Sequence, residues 1–392
     1  MQKKKKKIGI ITYWESNDNY GQQLQCWALQ HYLRLHDFNV FLIRQYVWPP
    51  QKKCGIKRIK QWTKDIIASL FYATGLAYVP MINKHFAFCL DKEACRRKFP
   101  KFRKNYLHMS KVYNSPEKLK HNPPKADIYI TGSDQVWNYT MPKEVLSNFF
   151  LQFGKEHVKR IAYAPSIGNV GFPEEIKDTI KSYLKDFSAI SVRELSAVSV
   201  INELGYEASH VLDPTMLLQM KDYLRLAKGI IVKPSVFIYS INYTSEQDIP
   251  FQQIQSFAQE HVLPIVVTPG SGYVPAKELF DGVEYSYASI PKWIQHIAMA
   301  ELVVTPSFHG IIFSILFHRP FIYTPIKGKH ESSNVRVLDL LEELNLNERI
   351  WRDNGLSLKA FVDKRIDWEG VDYRLKELRE SSVNYLERAL VF

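Results

Sequence analysis

Apolar residues in this chain fall into short runs that alternate with stretches of helical spacing. KIGIITY (Lys7–Tyr13) is a β-branched run, ESNDNYG is polar turn chemistry, and GQQLQCWALQHYLRLH repeats apolar residues every three or four positions. NVFLIRQY (Asn39–Tyr46) supplies the next strand and closes a βαβ unit. Four more runs follow: ADIYITGSDQVWN (Ala126–Asn138), RIAYAPSIG (Arg160–Gly168), AISVREL (Ala189–Leu195) and SHVLDPTML (Ser209–Leu217). Each ends in polar, Gly or Pro residues. A second series comprises SVFIYSIN (Ser235–Asn242), LPIVVTPG (Leu263–Gly270), AELVVTP and FIYTP. GIIFSILFHR, between the last two, has the length of a helix joining parallel strands, and VDYRLKELRESSVNYLERALVF reads as an amphipathic helix.

Two successive sets of alternating strands and helices predict an α/β protein with two Rossmann-like domains and a cleft between them. The break falls near Asp213–Leu224. The expected division is an N-terminal domain over 1–215, a C-terminal domain over 216–370 and the closing helix over 371–392. No repeat of solenoid period occurs. The first strand–helix turn lacks G-x-G-x-x-G, which argues against a dinucleotide fingerprint.

Charge changes this picture in one place. The net charge of +12 is concentrated in residues 51–125, which hold 18 Lys and Arg against 4 Asp and Glu. This segment reads as a basic helical insertion in the N-terminal domain. It contains IIASLFYATGLAYVPMIN (Ile66–Asn83), free of charge and flanked by Lys64 and Lys84. Ser69, Thr74, Gly75 and Pro80 argue against a membrane span. A helix packed on its own domain and peripheral contact with anionic lipid both fit. Nucleic-acid binding is not expected, because no recognised nucleic-acid fold accompanies the charge. The 392 residues are 46% apolar and suit a globular protein of two domains. Cys26, Cys54, Cys89 and Cys95 form no C-x-x-C pair and read as reduced thiols of a cytosolic protein. The N-terminus lacks the apolar region and cleavage site of a signal peptide.

Polar residues gather where the strands end. Gly132, Ser133, Asp134 and Asn138 follow one strand, Ser166 and Gly168 another, Arg193 and Glu194 a third, and Ser307, His309 and Gly310 a fourth. In open α/β sheets these edges bind ligands. Each signal also has an ordinary structural meaning. GSDQVWN works as a capped turn with Asp134 as the cap and Trp137 in the core, and a lone His beside an apolar helix often only packs. No carboxylate–His cluster has ligand spacing, so no metal is implied.

NYGQQLQCWALQHYL, GSDQVWN, RIAYAPSIG, ISVREL, VLDPTMLL, SFHGIIFSILFHRPFI and NVRVLDLLEEL together resemble the polysaccharide pyruvyl transferase family in order and spacing. The resemblance spans nearly the whole chain apart from the basic insertion and the far C-terminus. It implies two Rossmann-like domains arranged as in B-type glycosyltransferases. It also implies an enzyme that moves the pyruvyl group of phosphoenolpyruvate onto two hydroxyls of a sugar, making a cyclic ketal in surface or capsular polysaccharide. Phosphoenolpyruvate is then the donor substrate, and no cofactor is called for.

That chemistry needs cations for an anionic donor, an acid for carbon 3 and a base for the acceptor hydroxyl. His309 matches the family's functional histidine and suits the acid role. Arg193 matches an arginine that binds phosphoenolpyruvate in relatives, and a guanidinium suits bidentate capture of carboxylate or phosphate. Asp134 is the candidate catalytic carboxylate on the acceptor side, with a turn cap as its alternative role. Ser133, Ser166, Ser307 and Gly310 are candidate substrate-binding positions. One departure stands out, because the better-known branch has Arg-Leu-His where this chain has Ser307-Phe308-His309. Arg336, in SSNVRVLDLL, is the expected replacement for the missing charge.

The resemblance further implies a sugar acceptor, for which a lipid diphosphate is a candidate carrier, and a cytoplasmic enzyme for which the basic segment suggests peripheral contact with the inner face of the membrane. Two other readings stay open: a nucleotide-sugar-dependent glycosyltransferase of the same architecture, and a non-enzymatic binding module built on the basic segment.

Overall fold

The structure is a computed structural model and describes residues 5–15, 18–47, 97–270, 278–352, 355 and 357–391. Strands β1 (Lys7–Ile11), β2 (Asn39–Gln45), β3 (Met109–Tyr113), β4 (Ile128–Thr131) and β5 (Lys159–Ala162) form one sheet in the order β3-β2-β1-β4-β5. Every pairing in it is parallel. Strands β6 (Ser191–Val192) and β7 (Ser209–His210) pair as a small parallel ribbon. Strands β8 (Ser235–Ser240), β9 (Ile265–Pro269), β10 (Glu284–Tyr285), β11 (Ala300–Thr305) and β12 (Phe321–Tyr323) form a second parallel sheet, in the order β10-β9-β8-β11-β12.

Both sheets thus follow one winding rule, the doubly wound order that the alternating pattern predicts. The order reverses between β1 and β4 and again between β8 and β11. At such switch points the helices on either side diverge and leave a crevice beyond the strands' carboxyl ends. β4, β8, β9 and β12 are buried at every residue, which explains why they read as unbroken apolar runs: helices cover both faces.

The helices that matter for the site are α1 (Tyr20–Leu35), α2 (Phe99–Tyr106), α3 (Leu195–Glu203), α4 (Ile290–Ala298), α5 (Phe308–Leu316), α6 (Val335–Glu343) and α7 (Trp368–Leu390). α1 joins the two halves. Its Tyr20 ring stacks on Trp293 of α4 with centroids 5.1 Å apart, and the Tyr20 hydroxyl donates to Ala288 O at 2.7 Å. Trp27 meets Tyr223 edge-on at 5.4 Å. α7 runs back onto the first sheet: the Tyr385 hydroxyl donates to Ala162 O at 2.8 Å, and Arg379 Nε donates to Met216 O at 2.7 Å. One continuous apolar core therefore runs through α1, α4, α5 and α7.

Several elements differ from the sequence expectation. The runs around Arg193 and Asp213 yield only the two-residue strands β6 and β7. Arg193 and Glu194 lead straight into α3, and Pro214, which lacks an N–H, starts a 3-10 turn over Pro214–Leu217. The basic segment is not wholly an insertion. Its residues 109–113 are β3, an edge strand of the first sheet, and Phe99 and Phe102 of α2 are buried. The apolar stretch Ile66–Asn83 and Cys54, Cys89 and Cys95 lie outside the described residues. Cys26 is a buried free thiol. Among the described residues, no helix is long and apolar enough to cross a membrane.

Candidate active site

The chemistry collects around one carboxylate, Asp213, which stands just beyond β7 and is 1% exposed. Its Oδ1 accepts hydrogen bonds from the Thr215 amide (3.0 Å) and hydroxyl (2.6 Å), which fix the side chain over the turn that Pro214 begins. Its Oδ2 accepts from Ser133 Oγ at 2.7 Å and from Arg193 Nη1 at 3.1 Å. The imidazole Nε2 of His309 lies 3.6 Å from the same oxygen, an ion-pair distance longer than a hydrogen bond. Burial alone would raise the Asp213 value, but the His309 imidazole, the Arg193 guanidinium and the Thr215 hydroxyl hold it well below the usual carboxylate range.

Each partner arrives from a different strand end. Ser133 follows β4, and its carbonyl takes the Thr12 hydroxyl at 2.6 Å, which ties the ends of β1 and β4 together. Arg193 follows β6 and is 5% exposed; its Nε donates to Glu194 at 3.1 Å. Burial would lower the Arg193 value, yet Glu194, Asp213 and Asp134 together raise it, so the guanidinium stays charged. Its Nη2 is buried with no hydrogen-bond partner among the described residues. His309 comes from the second sheet, in the first turn of α5. The residue is 7% exposed, and its Nε2 also lacks a hydrogen bond among the described residues.

The seat of His309 is cut by a glycine. A Cβ placed on Gly21, in the first turn of α1, would lie 2.1 Å from His309 Nδ1. Only glycine lets the imidazole lie against that helix start. The ring is thus held between α1 of one domain and Asp213 at the end of that domain's last strand.

Phe308 carries the second cation. Its ring faces the Arg193 guanidinium at 4.5 Å and that of Arg336 at 5.9 Å. Arg336 is half-buried in the first turn of α6, and desolvation and the nearby Arg193 charge lower its value. These groups line a narrow crevice of about 10 Å³, room for a single water, together with His210, Asp339 and Glu343.

The residues named from sequence divide into two groups. Ser133, Arg193 and His309 converge on Asp213, and Arg336 joins Arg193 over Phe308. Asp134 sits beside them at the switch point of the first sheet, in the left-handed region at φ 85°. Its Oδ1 takes the Gln135 amide at 2.8 Å, and its buried Oδ2 has no partner among the described residues. Ser307, Ser166 and Gly310 serve local structure. Ser307 is the N-cap of α5, accepting the Gly310 amide at 3.2 Å, and Ser166 Oγ takes the Gly168 amide at 3.2 Å. Gly310 allows close approach to Thr305, 2.8 Å from where a Cβ would sit. Sequence reasoning missed Asp213, Gly21 and Phe308 as site residues. The Asp-Pro pair that ends VLDP was the available signal for Asp213.

A family model described as polysaccharide pyruvyl transferase matches residues 19–327. No curated protein sequence matches the chain significantly. Among solved structures, the chain is similar to the UDP-GlcNAc 2-epimerase of Neisseria meningitidis bound to UDP-GlcNAc, with 8% identity, TM-score 0.45 and 96% and 99% of the two chains covered. It is similar to a glycosyltransferase of Rickettsia africae, with 10% identity, TM-score 0.45 and coverage of 97% and 94%. It is also similar to an α-glucosyltransferase in complex with UDP and DNA, with 8% identity, TM-score 0.45 and coverage of 97% and 95%.

Proposed function

The chain belongs to the polysaccharide pyruvyl transferase family, and from that premise we propose that it transfers the pyruvyl group of phosphoenolpyruvate to two hydroxyls of a sugar in a surface polysaccharide. The observation that carries this reading is the meeting of Arg193 and His309, from separate domains, on the single carboxylate of Asp213. A buried cation and a buried imidazole held together in this way suit a small phosphorylated enol acid.

In this reading Arg193 and Arg336 bind the donor's phosphate and carboxylate, with Arg336 supplying the charge that Ser307 lacks. His309 gives its proton to carbon 3 while an acceptor hydroxyl adds to carbon 2. Asp213 orients the ring and stabilises its charged form. Asp134, with an unpartnered oxygen, takes the hydroxyl proton. The bond from carbon 2 to the phosphate oxygen then breaks, and the second hydroxyl closes the ketal.

The acceptor is read as a lipid-diphosphate-linked sugar, with the enzyme peripheral at the cytoplasmic face of the membrane. Exposed Lys98, Lys101 and Lys104 at α2 support that orientation.

The test is phosphate release and ketal formation, followed by mass spectrometry, with phosphoenolpyruvate and a panel of hexoside acceptors. His309→Asn is expected to lower kcat about 100-fold or more. Arg336→Ala is expected to raise the donor KM at least about tenfold, the scale of one lost charged hydrogen bond. Thermal shift by nucleotide sugars, with none by phosphoenolpyruvate, would favour the glycosyltransferase reading instead.

A further inference from the structure

The crevice holds a second carboxylate–imidazole pair that the scheme above does not use. Glu343, in the last turn of α6, lies with its Oε1 3.2 Å from His210 Nδ1. The other ring nitrogen, Nε2, is 3.0 Å from the main-chain oxygen of Arg193. A carbonyl oxygen can only accept, so Nε2 carries a hydrogen. Nδ1 and the carboxylate would then meet lone pair to lone pair unless one proton lies between them. The contact therefore requires a shared proton.

The surroundings say which partner keeps it. Burial, together with Asp339 and Glu342, pushes Glu343 up to about 7. Burial also lowers His210, outweighing its bond to Arg193 O and the charges of Glu194 and Asp339. Both directions put the proton on the carboxyl, which donates to a neutral ring. The other charged groups on the crevice are the guanidiniums of Arg193 and Arg336 and the carboxylates of Glu194, Asp213 and Asp339. Asp339 is engaged by the Ser196 hydroxyl at 2.8 Å. Arg193 is already paired with Glu194 and Asp213, so an ionised Glu343 would add one more negative charge beside Arg336 and repel an anion, and a neutral one does not.

We propose that Glu343, backed by His210, is the acid that protonates the departing phosphate. This rests on the pyruvyl-transfer reading. In ketal formation the two acceptor hydroxyls release two protons and carbon 3 takes one. The other must leave on phosphate. In the proposed step the Glu343 O–H bond breaks and a phosphate O–H bond forms. The bond between carbon 2 and the phosphate oxygen breaks with its electron pair on phosphate. The proton of the second hydroxyl restores Glu343. His309 and Glu343 thus flank one arginine, the first sharing Asp213 with its guanidinium and the second holding its main chain through His210.

The test has two arms on the full chain. Glu343→Gln keeps a donor toward Nδ1 and removes the acid, so the ring should stay in place. With phosphoenolpyruvate, kcat should fall about 100-fold with donor KM little changed, and the alkaline limb of the wild-type rate profile near pH 7 should disappear. Glu343→Asp should recover part of the rate. In the second arm, ring-nitrogen NMR of His210 should give a neutral Nε2–H ring whose Nδ1 shift moves with the Glu343 titration, a coupling absent in Glu343→Gln. Unchanged kcat and pH profile in Glu343→Gln overturn the proposal, as does an ordinary, uncoupled imidazole titration of His210. A coupled His210 in a protein that turns over no phosphoenolpyruvate sinks the pyruvyl-transfer reading and the acid role with it, while the shared proton stands.

Discussion

Asp213 is the residue on which single-atom chemistry turns. It accepts from Ser133, Thr215 and Arg193 and faces His309, and its charge is what makes burying the Arg193 guanidinium tolerable. Asp213→Asn should cost about 3–5 kcal/mol at neutral pH, as breaking a buried pair does, and should abolish turnover. The pH sign follows from the depressed value. Native Asp213 binds fewer protons than the unfolded chain, so its contribution is present above the ordinary value of 3.8 and is lost as the pH falls through and below it. The stability gap between wild type and variant in denaturant titrations should therefore narrow on acidification; a constant gap would contradict the charged role. Gly21 gives a cleaner probe because it bears no chemistry. Gly21→Ala puts a methyl 2.1 Å from His309 Nδ1, so the ring must move. Turnover should fall at least about tenfold, the scale of about 1.4 kcal/mol of lost transition-state stabilisation. Donor KM, which depends on the arginines, should hold. A loss in KM alone would mean the glycine serves only packing. Asp213 and Gly21 both lay inside legible motifs, but a residue's partners 80 positions away (Ser133 and Asp213) or 288 away (Gly21 and His309) are not written in its neighbours.

At the scale of elements, α5 carries the site because its start is fixed by chemistry rather than by length. Ser307 has extended backbone and caps the helix, while Thr305 accepts the Ser307 amide at 3.1 Å and donates to Tyr239 O at 2.8 Å. The strand end of β11, the cap and the first turn are thus one rigid corner that aims His309. This separates two roles for Ser307 that the sequence leaves joined. As a cap, Ser307→Ala should cost about 1 kcal/mol of stability with donor KM unchanged; as a substrate ligand it would raise KM at constant stability. Chemical denaturation beside donor titration distinguishes them. The helix itself was legible in GIIFSILFHR, as were the longer strands. β6 and β7 were not, since apolar runs around Arg193 and Asp213 look like full strands until a turn and a proline cut them to two residues.

Across the whole molecule, two sheets of the same winding order are joined by an aromatic core around Tyr20, Tyr239, Trp293 and Phe313. The basic surface belongs to this scale too. Phe99 and Phe102 are core residues, so deleting the whole of 54–104 would damage the fold together with any membrane contact. Reversing Lys98, Lys101 and Lys104 to Glu is the sounder test. Each basic residue near an anionic surface is worth about 1 kcal/mol, so co-sedimentation with anionic vesicles should drop sharply while thermal stability holds. Undiminished binding would leave α2 out of any membrane contact. Residue order alone determined the alternation of strands and helices in two successive sheets and the polar residues at strand ends, because periodicity and turn chemistry are local. Only the tertiary structure decided which of those residues meet. Burying a guanidinium and an imidazole requires a shared carboxylate, and bringing one to both takes strands from two sheets and a glycine in a helix between them.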